Sequence, residues 1–331
     1  MAASRIAVIG AGSWGTALMK LLSANAEQVG WWVRNADIIE HVRKYGHNPN
    51  YISAAQLDPE RLDMRTDLLA VVDAADVLVV AVPSAFLKAA LDTLPKGALQ
   101  GKTIFSAVKG IVPETNQIVG EFLFEHHGVR EADFGVICGP CHAEEVAMER
   151  LSYLTIACQD EEKARILADK LSCRYIKTKI SDDIIGTEYA AMLKNIYAIA
   201  AGIAHGLGYG DNFQAVLMSN SIREMKRFIK KVHKMKRNIN NSAYLGDLLV
   251  TGYSVFSRNR MFGNMIGKGY TVKSAMIEMS MVAEGYYATK SAYRIARENR
   301  SKTPIIETVY GILYEHKDPK QEFIKLTDIL N

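Results

Sequence analysis

The segment Ile6-Ala-Val-Ile-Gly10-Ala-Gly12-Ser-Trp-Gly15-Thr-Ala-Leu-Met-Lys-Leu-Leu22 joins a short apolar run to a glycine turn and then to the start of an amphipathic helix. This strand–turn–helix context gives the G-x-G-x-x-G spacing a meaning that it lacks alone. Gly10 makes the tight turn, Gly12 lets the backbone approach a pyrophosphate, and Gly15 lets the helix pack closely on the strand. Free N–H groups at the helix N-terminus face the phosphate charge. A site specific for NAD places Asp or Glu on the ribose hydroxyls about 20 residues further on. Val33-Arg34-Asn35 stands there instead, and Arg34 suits a 2′-phosphate. The expected cofactor is therefore NADPH, with NADH tolerated. The competing reading is a packing turn and a surface Arg34.

Outward from this loop, further short β-branched runs cover residues 29–33, 77–82, 103–108, 135–138, 153–157 and 175–178, with helix-like stretches between them. They are continuously apolar, as strands buried on both faces must be. The expected fold class is α/β: an N-terminal Rossmann-like, doubly wound, mostly parallel sheet followed by an all-α C-terminal domain. After residue 183 the strand signal gives way to Ala, Met, Lys and Glu at helical spacing. The domains expected are therefore 1–183 for the nucleotide and 184–331 for substrate and catalysis.

Composition narrows the function classes. With 331 residues, 49% of them hydrophobic, the chain can fill two domain cores. A formal charge of +4 gives no support to a nucleic-acid partner. Four cysteines are too few for a disulfide framework, and the start of the chain does not read as a secretory signal, so a reducing cytoplasm is expected. The longest apolar stretch, 77–82, stops at Pro83, so no membrane span is expected. Lys226 to Arg237 holds seven Lys or Arg residues in twelve positions. Its simplest reading is a solvated helix face and loop, and the other is a surface for an anionic partner.

Three groups of polar residues stand where apolar ones are expected. Lys109-Gly110 follows the strand at 103–108, at the edge where cofactor and substrate meet, although lysines also end strands for solvation. In a helix read over 187–202, Ala190, Lys194, Ala198 and Ala201 share one face. A lysine in an alanine stripe is buried or at a cleft. Desolvation and neighbouring positive charge make such a lysine a usable general acid/base, and the bland alternative is a structural ion pair. Further on, Asp247, Thr251, Ser254 and Arg258 would form one polar stripe of a continuous helix, surrounded by Leu248, Leu249, Val250, Val255 and Phe256. Ser257, Arg258 and Asn259 together suit a phosphate.

Other motifs carry less. Cys138-Gly-Pro-Cys141 spells C-x-x-C, but Cys158 and Cys173 stand singly, so it reads as a turn with incidental thiols and no metal site is expected. His142-Ala-Glu144 is one piece of a deaminase signature whose cysteines lie on the wrong side. His205, at a helix end, reads as structural more readily than as catalytic.

Together the residues resemble the NAD(P)-dependent glycerol-3-phosphate dehydrogenases of the bacterial type, over residues 5–297. The carriers are Gly10-Ala-Gly-Ser-Trp-Gly-Thr-Ala17, Val108-Lys-Gly110, Gly139-Pro140 with Ala143 and Glu144, Leu193-Lys-Asn195, Gly206-Leu-Gly-Tyr-Gly210 with Asn212, Gly246-Asp-Leu248, Ser257-Arg-Asn259 and Val282-Ala-Glu-Gly285. The resemblance implies cofactor contacts from Ser13, Trp14, Arg34, Lys109, Ala143, Arg258, Val282 and Glu284. It implies that Lys109, Gly139, Cys141, Lys194, Asp247, Ser257, Arg258 and Asn259 surround the substrate. The implied reaction is hydride transfer between NAD(P)H and dihydroxyacetone phosphate, giving sn-glycerol 3-phosphate for phospholipid synthesis. Lys194 matches the proton acceptor, Lys109 would stabilise the carbonyl oxygen, and Asp247 would orient Lys194 or a substrate hydroxyl. A homodimer is also implied. The sequence departs from the family at Cys141, at Met218-Ser-Asn-Ser221 and at Asn240-Asn-Ser-Ala-Tyr-Leu245. Two other readings remain. One is a reductase of the β-hydroxyacid or ketopantoate kind, against which the adjacency of Lys194 and Asn195 argues. The other is a catalytically silent NADPH-sensing module.

Overall fold

A computed structural model describes residues 5–279 and 283–331 of the chain. They form two compact units, one built from residues up to Val108 with Gln117–Ile184, the other from Lys109–Asn116 with Ile185–Asn331.

The first unit is an eight-stranded sheet. Its strands are β1 (Ile6–Ile9), β2 (Val29–Trp32), β3 (Leu62–Arg65), β4 (Val77–Val80), β5 (Thr103–Ser106), β6 (Phe134–Cys138), β7 (Ser152–Cys158) and β8 (Ile176–Ser181), in the spatial order β8-β7-β6-β5-β4-β1-β2-β3. All pairs are parallel except β6 with β7, where Ile137 lies opposite Ile156. Chain direction across the sheet reverses between β1 and β4, which pair Ile9 with Val80, and ligands of doubly wound sheets gather at such a switch point. Helices α1 (Ser13–Asn25), α2 (Ala36–Tyr45), α3 (Leu68–Ala74), α4 (Ser84–Leu91), α5 (Val119–His127), α6 (Ala143–Ala147) and α7 (Glu161–Leu171) belong to this unit.

Strand β3 is the element that apolar runs do not reveal. It is an edge strand that buries Leu62 and Met64 while Asp63 and Arg65 face outward. The Arg65 guanidinium donates to Asp63 at 2.9 and 2.7 Å, a charged pair that blunts the edge against pairing with other chains. The opposite edge, β8, exposes Lys177 and Lys179 in the same way.

The second unit is helical: α8 (Ile184–Gly206), α9 (Asp211–Val232), α10 (Asp247–Tyr253), α11 (Arg258–Gly267), α12 (Val272–Glu278), α13 (Glu284–Glu298), α14 (Pro304–Tyr314) and α15 (Pro319–Thr327). Helix α8 is longer than the 187–202 expected, and Met192, Leu193, Ile196, Tyr197 and Ile199 are all fully buried, so it forms the unit's axis. It meets α11 with almost no side chain between. A Cβ on Gly202 would lie 2.0 Å from the Arg260 carbonyl oxygen, and one on Gly263 would lie 2.1 Å from that of Ile199. Gly206 and Gly267 repeat the contact one turn on, each within 2.4 Å of a facing carbonyl oxygen.

One expectation is corrected here. Residues 247–258 are not one helix. Ser254 adopts an extended conformation and its Oγ accepts from Phe256 N at 3.1 Å, while Ser257 Oγ accepts from Arg260 N at 3.3 Å and caps α11. Serine hydroxyls that satisfy backbone amides compete with helix continuation, so the stripe breaks after α10. The residues expected to surround it also differ: Val255 is 74% exposed, and Leu249 and Phe256 are exposed as well.

Helix α9 contributes a fully buried carboxyl group. Glu224 accepts from Ile305 N at 2.9 Å and Ile306 N at 3.1 Å and so caps α14, whose first residue, Pro304, has no N–H to offer. Burial pushes its pKa up to about 8, against the lowering effect of those two amides. The folded chain therefore keeps a proton that the unfolded chain has released between pH 4.5 and about 8. Stability contributed by this group is complete below the unfolded value and falls as the pH rises to about 8. Urea titrations should show this fall at no more than about 1.4 kcal/mol per pH unit, and Glu224→Gln should flatten it. An unchanged slope in the variant would assign the pH dependence elsewhere.

Candidate active site

The glycine loop after β1 has three different environments for its three glycines. Gly10 has φ +119°, and a Cβ there would stand 2.8 Å from the Ala81 carbonyl oxygen, just beyond β4. A Cβ on Gly15 would stand 2.2 Å from the Gly10 carbonyl oxygen, so α1 presses directly on the turn. Gly12 faces open space with nothing within 4 Å of its missing side chain, and α1 starts there without a side-chain cap. A cradle that a Cβ would fill, next to uncapped amides, fits a dinucleotide pyrophosphate. Ser13 is buried in the first turn of α1 and Trp14 is half-buried beside it.

Two side chains that sequence reasoning missed hold this loop. Trp31 Nε1 donates to Gly10 O at 2.9 Å. The wholly buried Asn48 donates from Nδ2 to Ala11 O at 3.0 Å and to Thr16 Oγ1 at 2.9 Å. Nothing in the local pattern of Asn48-Pro-Asn-Tyr51 distinguishes it from any Asn-Pro turn. Arg34, just past β2, is exposed and has no ion pair among the described residues, while Asn35 next to it caps α2.

Gly139, at the end of β6, has φ +118°, and a Cβ would meet Tyr153 O at 2.7 Å. Cys141 is buried in the sheet's apolar core, and Ala143 opens α6. Cys138 Sγ donates to Thr155 O at 3.5 Å, and Cys158 Sγ donates to Phe134 O at 3.3 Å. Burial pushes the Cys158 thiol up, away from the reactive thiolate.

The second unit assembles the other polar residues. Lys194 Nζ, on α8, is ion-paired with Asp247 Oδ2 at the start of α10, and both side chains are only 4% exposed. A π-helical turn, Ser242–Gly246, leads directly into Asp247. Asn195 Nδ2 donates to Lys109 O at 2.7 Å, which brings the half-buried Lys109 to the same helix. A Cβ on Gly285 would fall 2.7 Å from Asn195 O, and Gly285 N donates to Asn259 Oδ1 at 2.9 Å. Asn259 thus holds the N-terminus of α13, where Glu284 is half-buried. Ser257 acts as the α11 cap, and Arg258, half-buried, has no ion pair among the described residues. His205 Nδ1 lies 2.9 Å from Asn264 Oδ1, a structural link between α8 and α11. Val282 lies outside the described residues.

The model of the NAD-dependent glycerol-3-phosphate dehydrogenase N-terminus matches residues 5–164, and that of the C-terminus matches residues 183–324. The chain belongs to this dehydrogenase family. A "Glycerol-3-phosphate dehydrogenase [NAD(P)+] 2" of Salinibacter ruber is 37% identical to it, over 95% of this chain and 92% of the relative. The crystal structure of the glycerol-3-phosphate dehydrogenase of Coxiella burnetii superposes with a TM-score of 0.89 at 30% identity, over 98% of both chains. A ketopantoate reductase from Ralstonia eutropha reaches a TM-score of 0.58 at 14% identity, over 96% of this chain and 99% of its own, and so shares the fold alone. The glycerol-3-phosphate dehydrogenase reading thereby prevails over the ketopantoate one.

For this dehydrogenase, Asn48→Ala leaves two loop acceptors without their donor. NADPH affinity should fall roughly tenfold, the equivalent of one to two hydrogen bonds at about 1 kcal/mol each, with kcat nearly unchanged. A fluorescence titration checks this, and wild-type affinity in the variant would show that the loop holds its shape without the amide.

Proposed function

We propose that the chain reversibly reduces dihydroxyacetone phosphate to sn-glycerol 3-phosphate with NADPH, accepting NADH as well, and that Lys194 is its acid and base. The observation that carries this reading is the buried Lys194–Asp247 pair. Burying two charges costs several kcal/mol per ion, and apolar residues of the same size would stabilise the core as well or better. A pair kept at that cost serves chemistry.

Bound nicotinamide supplies the hydride in reduction and accepts it in oxidation. As hydride reaches C2, negative charge grows on the carbonyl oxygen, and Lys194 Nζ donates a proton there. In oxidation Lys194 takes the proton back from the C2 hydroxyl. Asp247 holds Nζ in one place through both directions, as ammonium before it donates and as amine before it accepts. Lys109, tied to α8 through Asn195, adds positive charge at the same oxygen. Arg258 offers its guanidinium fork to the substrate phosphate at the start of α11, with the Asn259 amide nitrogen beside it and the helix N-terminus favouring the anion. Arg34 would hold the 2′-phosphate of NADPH, and Gly12 and the first turn of α1 the pyrophosphate. The same reading places the enzyme in the cytoplasm, supplying glycerophospholipid synthesis. We also propose a homodimer, supported by the exposed apolar run Tyr253, Val255 and Phe256, which a second copy would cover.

Nicotinamide absorbance, followed after adding dihydroxyacetone phosphate to NADPH or NADH, tests the reaction. Ketopantoate and a β-keto acid serve as controls and should give no oxidation. Lys194→Ala should lower kcat by about 10³-fold or more while leaving NADPH binding nearly intact. Equal loss of both would make the residue structural. Arg34→Ala should raise KM for NADPH about tenfold, the worth of one charge-assisted contact, and leave KM for NADH unchanged. A parallel rise for both cofactors would remove Arg34 from the 2′-phosphate.

A further inference from the structure

The basic run at the end of α9 divides into two kinds of residue. Arg227 Nε donates to Lys302 O at 2.7 Å, and Arg237 Nη1 donates to His233 O at 3.0 Å; both arginines are half-buried and tethered to backbone. Lys226, Lys230, Lys231, Lys234 and Lys236 are exposed, and none has an ion pair among the described residues. No carboxylate occurs in sequence between Glu224, which is fully buried, and Asp247, which is paired with Lys194. The Arg227 bond also draws the loop carrying Arg300 and Lys302, both exposed, against the same end of α9.

Ordinary helix stabilisation explains only part of this. Cations in the last turn answer the helix dipole, which accounts for Lys230 and Lys231. That effect is confined to the terminal turn, and Lys226, Lys234 and Lys236 lie outside it. The run contributes +7 to a chain whose formal total is +4, which leaves −3 for everything else. The end of α9 and the loop after it are therefore strongly cationic, while the remaining residues sum to a slightly anionic −3.

We propose that this face docks on an anionic lipid bilayer surface. A planar bilayer presents a diffuse, laterally mobile negative charge that a set of flexible ammonium groups can meet without fixed geometry. Recognition of individual phosphates in nucleic acid or phosphopeptides favours the rigid guanidinium fork, and here the exposed cations are lysines while the two arginines are half-buried and tied to backbone. The rest of the chain sums to −3, so the basic run is the part with the strongest net attraction to such a surface. Attraction of this kind is confined to roughly a Debye length, about 8 Å at physiological salt, so docking is peripheral and reversible. The inference goes beyond the proposed chemistry and does not depend on it.

Vesicle co-sedimentation of the full chain tests the proposal. Binding to vesicles of equal parts phosphatidylglycerol and phosphatidylcholine should exceed binding to phosphatidylcholine alone about tenfold or more at low salt, and raised salt should release it. Replacing all five lysines by Gln should abolish this preference while turnover in solution stays at the wild-type rate, which also certifies the fold. Replacing them by Arg should retain it. Equal sedimentation with both vesicles, or wild-type binding by the Gln variant, overturns the proposal. Displacement from the anionic vesicles by duplex DNA at the same ionic strength would overturn it in favour of a nucleic-acid surface.

Discussion

Helices α8 and α11 touch backbone to backbone, and the geometry of the second unit hangs on that contact. Gly202 and Gly206 meet Gly263 and Gly267 with no room for a Cβ on any of the four. Both helices are rigid rods, so fixing one crossing fixes the relation of every residue along them. Lys194 and Asn195 stand about two turns before Gly202, and Arg258 and Asn259 stand little more than a turn before Gly263. Lys194 and Arg258, the proposed acid–base and anion-binding groups, are thus placed by glycines that touch neither. Helix α13 enters the same arrangement through Gly285, which fits between Asn195 O and Asn259 Oδ1 for the same reason.

Charge in this interior is answered locally. Lys194 finds Asp247, and Glu224 finds two amides at the start of α14. The two solutions differ in kind. An ion pair fixes the Lys194 Nζ against a carboxylate in a place where water would otherwise compete, so that its position is set before any substrate arrives. A carboxyl group among backbone amides and apolar side chains is pushed towards its protonated form, which serves packing and leaves α14 sensitive to pH. Sequence reasoning offered Lys194 a positive neighbour, with a structural ion pair as the alternative and Asp247 as the group orienting it or a substrate hydroxyl. Its partner is the Asp247 carboxylate, reached across 53 positions of chain from a helix whose entry is a π turn.

What was legible in the sequence follows the range of the interactions involved. The glycine loop, the central strands and Lys194 rest on local rules: a turn conformation, continuous apolarity and a long polar side chain among alanines. Strand β3 escaped because an edge strand is half polar and looks like loop. The break at Ser254 escaped because helical spacing says nothing about whether a serine hydroxyl will take a backbone amide instead. Asn48 escaped for a stronger reason. Its donors serve Ala11 and Thr16, more than 30 positions away, and no local pattern encodes a partner at that distance. The glycine pairs on α8 and α11 are visible as spacing, yet which pair meets which is settled only by tertiary packing.

The stretches read in the sequence as departures from the family pattern are each accommodated locally. In the Met218-Ser-Asn-Ser221 stretch, Ser221 is fully buried and its Oγ donates to Leu217 O at 2.8 Å, while Asn220 Nδ2 donates to Val216 O and to Asn331 O. The new polar groups are satisfied by backbone within reach, so the helix continues through them. The altered approach to Asp247 is taken up by the π turn, with Ala243 and Tyr244 buried as anchors. Cys141 sits in an apolar core that accepts a thiol as a small hydrophobe. Each change asks only that a hydrogen bond or a volume be supplied nearby. A change at Lys194 or Asp247 would instead leave the surviving charge buried and unpaired, at several kcal/mol. Physical cost therefore separates the approach to the site, where each group finds a partner nearby, from the buried pair at its centre.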